Sequence, residues 1–338
     1  MREFRRTATP PRIRIERLLD DADRRSALYD ETFWSLRERP KSMPAVWLYD
    51  ERGSLLFEQI TRLPEYYLTR SEREILVGRA AEIAARTGAE TLVELGSGTS
   101  EKTTLLLDVL AAAGTLERFV PVDVSEEVLR ASAQAIAARY ERVGVHAIVG
   151  DFERHLAAVP AGGRRLVAFL GSTIGNLQPA RRADLLAAIA ATLEPGDAFL
   201  LGVDLVKDRA RLEAAYHDSA GVTETFVRNG LVVVNRVLRA DFDQTLLAFT
   251  PYWDAEHEWM DIGFTARAAH VVRVEELESI VSLAAGERLR LEVSAKFRRD
   301  GIARELAAVG LHLTAWWTDR RHDFALLLAT RSPDGGPR

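Results

Sequence analysis

The apolar run Thr91-Leu92-Val93-Glu94-Leu95 breaks into Gly96-Ser97-Gly98-Thr99-Ser100 and then into a helical pattern from Lys102 to Ala112. Residues of these types cradle a nucleotide-like molecule. Two glycines let the backbone approach a ligand where a Cβ would clash, and the helix start offers unpaired N–H groups to an anionic end. The residue at 101 narrows the ligand. A dinucleotide fingerprint counted from Gly96 requires a third glycine there, as does a phosphate loop ahead of Lys102-Thr103, but the residue is Glu101. A carboxylate beside a polyphosphate is repulsive. S-adenosylmethionine carries no phosphate, so the turn is read as a site for that methyl donor, with a dinucleotide and a purely structural turn as the alternatives.

Farther along, Phe119-Val120-Pro121-Val122 ends at Asp123, 27 residues past Gly96, where one carboxylate can take both hydroxyls of a ribose. The run Val145-His146-Ala147-Ile148-Val149-Gly150 ends at Asp151-Phe152, an acceptor for an adenine amino group beside a ring for the base. Each acid alone reads equally as a helix cap or loop residue, and Asp123-Val124-Ser125 with Glu126 and Glu127 has the form of a helix start. Three such strand ends in order point to one donor site. A further apolar run, ending in Gly171-Ser172-Thr173-Ile174-Gly175-Asn176, sets Asn176 at the same ligand-facing edge. Its amide donates and accepts, so it can hold an amine and a carboxylate; a plain turn asparagine is the alternative. In Leu291–Phe297 strict alternation puts Glu292, Ser294 and Lys296 on one face, opposite Leu291, Val293, Ala295 and Phe297. Glu292 and Ser294, about 7 Å apart, can accept from one ring nitrogen of a flat heteroaromatic group and complement the other. A solvated polar face is the alternative.

The elements that must position these residues are legible between 71 and 205, where strands at 91–95, 117–122, 145–149, 165–170 and 198–203 alternate with helices such as 126–140 and 179–193. That is the pattern of a parallel sheet with helices on both faces, which late strands near 312–317 and 324–329 would complete. Residues 206–296 read differently, with helices near 206–218 and 224–239 and then long alternating strands, so a second, inserted domain is expected there. The aromatic-rich 23–70 joins it, while 1–12 and 331–338 read as loose tails. The chain has 338 residues, 47% of them hydrophobic, enough to fill both parts. A net charge of −5 with scattered arginines and lysines only at 41, 102, 207 and 296 gives nucleic acid no footprint. The absence of cysteine excludes disulfides and thiolate chemistry, and the seven histidines lack metal-ligand spacing, so no metal is expected. Without a secretory apolar segment or an 18-residue apolar stretch, a cytoplasmic protein with no membrane partner is expected.

Several long motifs in order carry a resemblance: Pro40-Lys41-Ser42-Met43-Pro44 with Trp47-Leu48-Tyr49-Asp50, Arg62-Leu63-Pro64-Glu65-Tyr66-Tyr67-Leu68-Thr69-Arg70, Glu94-Leu95-Gly96-Ser97-Gly98, Gly171–Asn176 and Glu292–Phe297. From about 23 to 330 the chain resembles the histidine-specific Nα-methyltransferases of ergothioneine biosynthesis. The resemblance implies a Rossmann-like class I S-adenosylmethionine-dependent methyltransferase fold with an inserted α+β substrate-binding domain. It implies a donor domain of 71–205 and 297–330 and a substrate domain of 23–70 and 206–296. Tyr66, Gly96, Lys102, Asp123, Asp151 and Phe152 would contact the donor. Tyr49, Asn176 and Tyr216 would hold the amine and carboxylate of L-histidine, Tyr49 and Asn176 acting at the reacting nitrogen, and Glu292 with Ser294 would bind the imidazole. The product would be hercynine. A monomer acting on this small molecule is expected.

Methyl transfer is in-line attack by a neutral amine on a sulfonium carbon, so positioning matters more than a strong base. One region departs from the family. Ile262 stands where a methionine lining the imidazole pocket is expected, Gly263 replaces a larger residue and is expected to widen the site, and Val227 replaces an asparagine. Another α-amino acid as substrate, or a donor-binding module without catalysis, are the competing readings.

Overall fold

The computed structural model describes residues 12–331. Residues 1–11 and 332–338, most of both expected tails, lie outside the described residues. Arg12 and Arg331 are not tail: the Arg12 carbonyl accepts from Val145 N at 2.7 Å, and Arg331 ends a strand.

An eight-stranded sheet runs in the order Ile13–Arg17, Gly144–Val149, Arg118–Asp123, Thr91–Leu95, Arg165–Phe169, Ala198–Asp204, Phe324–Arg331, Leu311–Thr318. The first six strands are parallel. Apart from the edge strand Ile13–Arg17, their residues are nearly all buried because helices cover both faces. Alternate side chains of one strand enter opposite cores: Leu92 and Phe119 pack with Ile75, Leu76 and Leu106, whereas Val93 and Val120 pack with Leu185, Leu186, Ile302 and Leu306. Strand order reverses on either side of Thr91–Leu95, which opens a crevice at its carboxyl end, where Gly96-Ser97-Gly98 lies.

Two details differ from the sequence reading. The last two strands are antiparallel, because the short turn from Asp319 to Asp323 can join only a hairpin; a parallel pair needs a crossover. Ile13–Arg17 adds an edge strand that the sequence hid, since its IRIER pattern is half charged, as an exposed edge tolerates.

A second sheet takes the order Lys41–Ser42, Arg288–Ala295, Trp259–Ala266, Leu247–Phe249, with Tyr252–Asp254 pairing Trp259–Asp261. Helices Glu51–Ile60, Arg209–Tyr216 and Val222–Val237 belong to the same region of the chain as this sheet. The two sheets meet end to end: Phe297 N donates to the Asp204 carbonyl at 2.8 Å, and Val206 N to the Phe297 carbonyl at 3.1 Å.

Gly263 is not a widening of the site. It sits at a register shift, where a Cβ would come 2.2 Å from the Leu289 carbonyl oxygen, so backbone approach requires glycine. Gly78, in the exposed middle of helix Leu68–Thr87, has nothing within 4 Å of a Cβ. Gly78→Ala should therefore raise unfolding free energy by about 0.5–1 kcal/mol, and Gly263→Ala should lower it by about 1–3 kcal/mol through overpacking. Urea titration of both variants checks the opposite signs.

Candidate active site

At the crevice Gly96 and Gly98 adopt φ of +66° and +48°, a region that favours glycine. Phe152 lies over the turn, 3.6 Å from where a Gly96 Cβ would stand, and packs edge-on against Phe169 with ring centroids 5.1 Å apart. Asp123 braces the turn: Oδ2 accepts from Gly98 N at 2.8 Å and Oδ1 from Ser125 N at 2.9 Å, leaving lone pairs on both oxygens. Asp151 Oδ1 likewise accepts from Glu153 N at 2.9 Å. Lys102 pairs with the buried Glu72, whose Oε1 accepts from Gly171 N at 2.7 Å, so Lys102 bridges toward the Gly171 loop.

The acid of the glycine turn is itself buried. Burial pushes the Glu94 carboxyl up to about 7, against the pull of the Thr103 hydroxyl. Its Oε2 and the hydroxyls of Ser97 and Ser100 have no partner among the described residues. Three buried polar atoms left unpaired around one turn suit a ligand carrying its own polar and cationic groups, as the amino-acid end of S-adenosylmethionine does.

Beyond Gly171 lies a cavity of about 240 Å³. It brings together all the residues read as the amino-acid site, Tyr49, Asn176, Tyr216, Ile262, Glu292 and Ser294, and Tyr66, read as a donor contact, lines it too. Asn176 reaches Glu292 because Gly175 lets the Thr173–Asn176 turn touch strand Arg288–Ala295; a Cβ there would stand 2.8 Å from the Ala295 carbonyl oxygen. Asn176 Nδ2 donates to Glu292 Oε1 at 3.0 Å. Burial pushes the Glu292 carboxyl up to about 7, opposed by Lys296 and a hydrogen bond from Tyr49. Tyr49 packs edge-on to Phe57 and Phe226, and although 38% of the residue is exposed, burial of its hydroxyl end and the nearby Glu292 hold the phenol well above its usual value. The phenol therefore stays protonated at neutral pH. Phe226, Val227 and Ile262 make the opposite wall apolar.

Sequence reasoning missed the groups behind this cavity. Lys296, 3% exposed, donates to Asp204 Oδ2 at 2.8 Å, to the Tyr216 hydroxyl at 2.7 Å and to Ser294 Oγ at 2.8 Å. Asp204, fully buried, also binds Lys207 and accepts from Tyr67 at 2.9–3.0 Å. Burial alone would raise the Asp204 carboxyl, but Lys296 and Lys207 outweigh it and hold it low. A signal existed: in this arginine-rich chain three of the four lysines, 102, 207 and 296, pair with buried acids around the two clefts.

An acid-and-glycine turn at the switch point of a doubly wound sheet, acids at the next two strand ends and a polar cavity beside them define a Rossmann-like class I S-adenosylmethionine-dependent methyltransferase. Comparison with known proteins narrows the class. The family described as histidine-specific methyltransferase, SAM-dependent, matches residues 28–331. The chain is 55% identical over 296 residues to a histidine N-alpha-methyltransferase of Mycolicibacterium smegmatis, covering 88% of this chain and 92% of that one. It is 52% identical over 305 residues to the histidine N-alpha-methyltransferase of Mycobacterium tuberculosis, covering 90% and 95%. Ergothioneine biosynthesis protein 1 of Neurospora crassa is 32% identical over 290 residues, covering 83% of this chain and 32% of that protein. The chain belongs to the S-adenosylmethionine-dependent, histidine-specific methyltransferase family. No helix among the described residues is long and apolar enough to cross a membrane.

Glu94 supplies a test of the donor crevice. A carboxyl held near 7 should ionise when a ligand cation reaches it, so binding S-adenosylmethionine at pH 6.5 should release a large fraction of a proton, and almost none at pH 8.5. Calorimetry in buffers of different ionisation heat reads that release. Glu94→Gln should abolish it and weaken donor binding about tenfold, the order of one charged hydrogen bond.

Proposed function

We propose that this protein transfers three methyl groups in succession to the α-amino nitrogen of L-histidine, giving hercynine, the first step of ergothioneine biosynthesis. The observation that carries this reading is the pairing of Glu292 with Ser294 along one strand face, in a cavity that also holds Asn176 and Tyr49 beside the donor crevice. Residues 71–205 and 297–330 hold the donor in this reading, and 23–70 with 206–296 hold the amino acid.

When bound, S-adenosylmethionine supplies a methyl carbon on a sulfonium, which the neutral amine takes while the C–S electron pair stays on sulfur. Tyr66, Gly96, Lys102, Asp123, Asp151 and Phe152 hold that donor. Tyr49 and Asn176 orient the amine and carboxylate of histidine. Tyr216, whose hydroxyl meets Ser294 at 2.8 Å, lines the same cavity and joins them in holding this head group. Glu292 accepts a ring N–H and Ser294 serves the other nitrogen. A side chain lacking N–H leaves Glu292 with only its bonds from Asn176 and Tyr49 and displaces water from its remaining lone pairs, which costs roughly 1–3 kcal/mol and disfavours phenylalanine or leucine. Ile262 for methionine keeps nearly the same volume and Gly263 does not line the cavity, so neither enlarges the histidine site, while Val227 for asparagine makes its lining less polar.

Incubation with labelled donor and histidine should yield Nα,Nα,Nα-trimethylhistidine by fragmentation mass spectrometry. Methyl groups on imidazole nitrogen would refute the assignment of head and ring. Because Glu292 must be ionised to accept well, kcat/KM for histidine should rise with pH through about 7, with a second rise as the amine loses its proton. Glu292→Gln should move the lower limb down toward the titration of the substrate's own imidazole, about 6.5, and cost at least about tenfold, while Glu292→Ala also narrows the advantage over phenylalanine and tryptophan. The same reading makes the protein a cytoplasmic monomer. A sedimentation mass of twice the chain would correct it.

A further inference from the structure

Lys296 spends all of its hydrogens on three oxygens. One goes to Asp204 Oδ2 at 2.8 Å, one to Tyr216 Oη at 2.7 Å and one to Ser294 Oγ at 2.8 Å. The Asp204 carboxylate beside it favours the ammonium against the burial that lowers it, and with its three hydrogens on these oxygens the ammonium has no donor to spare. Asp204 is pinned in turn by Lys207 and Tyr67, and its own N–H donates to Ser172 Oγ at 2.9 Å, so it cannot swing away.

The consequence falls on the two hydroxyls. Tyr216 Oη and Ser294 Oγ lie 2.8 Å apart, so one donates to the other. A phenol is the better donor and an alkyl hydroxyl the better acceptor, which directs the Tyr216 hydrogen to Ser294. Ser294 Oγ then accepts from both Lys296 and Tyr216. Both its lone pairs are filled, and its one hydrogen is left for the cavity that Ser294 lines.

We propose that Lys296 is a positioning residue that fixes Ser294 as a hydrogen-bond donor, so that the ring subsite takes only a ring with one bare nitrogen toward Ser294 and one N–H toward Glu292. That is a neutral imidazole in a single tautomer and orientation. An imidazolium, with two N–H groups, meets a donor at Ser294 and is refused. The inference rests on the reading of Glu292 and Ser294 as the ring subsite and deepens it: Lys296 touches no substrate, and its effect on specificity passes through the hydroxyl pair.

Steady-state kinetics with L-histidine tests the coupling. Lys296→Met should raise KM for histidine about tenfold or more, a larger change than it makes in kcat or in S-adenosylhomocysteine affinity. Ser294→Ala should also raise KM, and adding Lys296→Met to it should change KM less than about twofold further, since the lysine acts through that hydroxyl. A merely structural lysine gives additive losses and overturns the proposal, as does an unmoved KM in Lys296→Met when Ser294→Ala moves it. If Ser294→Ala itself leaves KM unchanged, the ring subsite is wrong and the lysine assignment falls with it. A measurement on the wild-type protein does not depend on any variant folding. Ring-15N histidine bound with S-adenosylhomocysteine at pH 7 should show one pyrrole-type and one hydrogen-bonded pyridine-type nitrogen by NMR, and two protonated nitrogens would overturn the proposal.

Discussion

The Asp204 carboxylate is the point on which the two halves of the site depend. It ends a strand of the eight-stranded sheet, is fully buried, and takes Lys207 from the segment that follows and Lys296 from the end of the second sheet. The backbone is knotted at the same place, where Phe297 N meets the Asp204 carbonyl. An ionised group without water is tolerable only when each oxygen is paired, so the carboxylate forces both lysines, and the sheets that carry them, into one arrangement. Such a cluster contributes less to net stability than to uniqueness. Its value is that the crevice holding the donor and the cavity holding the amino acid cannot drift apart, and in-line transfer between two small molecules depends on their distance.

Lysine rather than arginine at these positions has a geometric reason. Arginine presents a planar fork suited to paired oxygens in one plane, whereas the ammonium of Lys296 must reach a carboxylate, a phenol and an alkyl hydroxyl that surround it. At the opposite end of the strands the buried Arg165 turns its planar guanidinium to acceptors spread around its edge: one Asp197 oxygen for Nε and Nη2, and the Pro160 and Thr192 carbonyls for Nη1 and Nη2. Each cation type serves the acceptor geometry around it, and three of the four lysines of this arginine-rich chain stand at the clefts.

The cavity joins an apolar wall of Phe226, Val227 and Ile262 to a polar one of Tyr49, Asn176, Glu292 and Ser294. Within the apolar surroundings each hydrogen bond discriminates more strongly than in water, because an unmatched partner has no solvent to turn to. The same burial that raises Glu292 and Glu94 to about 7 leaves both carboxyls responsive to a ligand at neutral pH. A binding site made of groups near their titration midpoints senses the charge of what enters it.

The doubly wound sheet, the glycine turn and the acids at successive strand ends were legible in the sequence because they are local: strand period, turn chemistry and helix starts are set by neighbouring residues. Period two along Leu291–Phe297 also put Glu292, Ser294 and Lys296 on one side, as they stand in the structure. The sequence could not say what Gly263 and Lys296 do. Gly263 reads as added room, but the Leu289 carbonyl, 26 residues away, occupies that room. Lys296 reads as a solvated side chain on a polar face, yet Asp204, 92 residues earlier, draws it into the interior. Which strands turned antiparallel, which half-charged segment joined the edge and which hydroxyl faces the cavity were likewise decided by long-range packing. Sequence by itself determines which groups share a face; only the tertiary structure decides what that face meets, because desolvation and pairing depend on partners that chain proximity does not name.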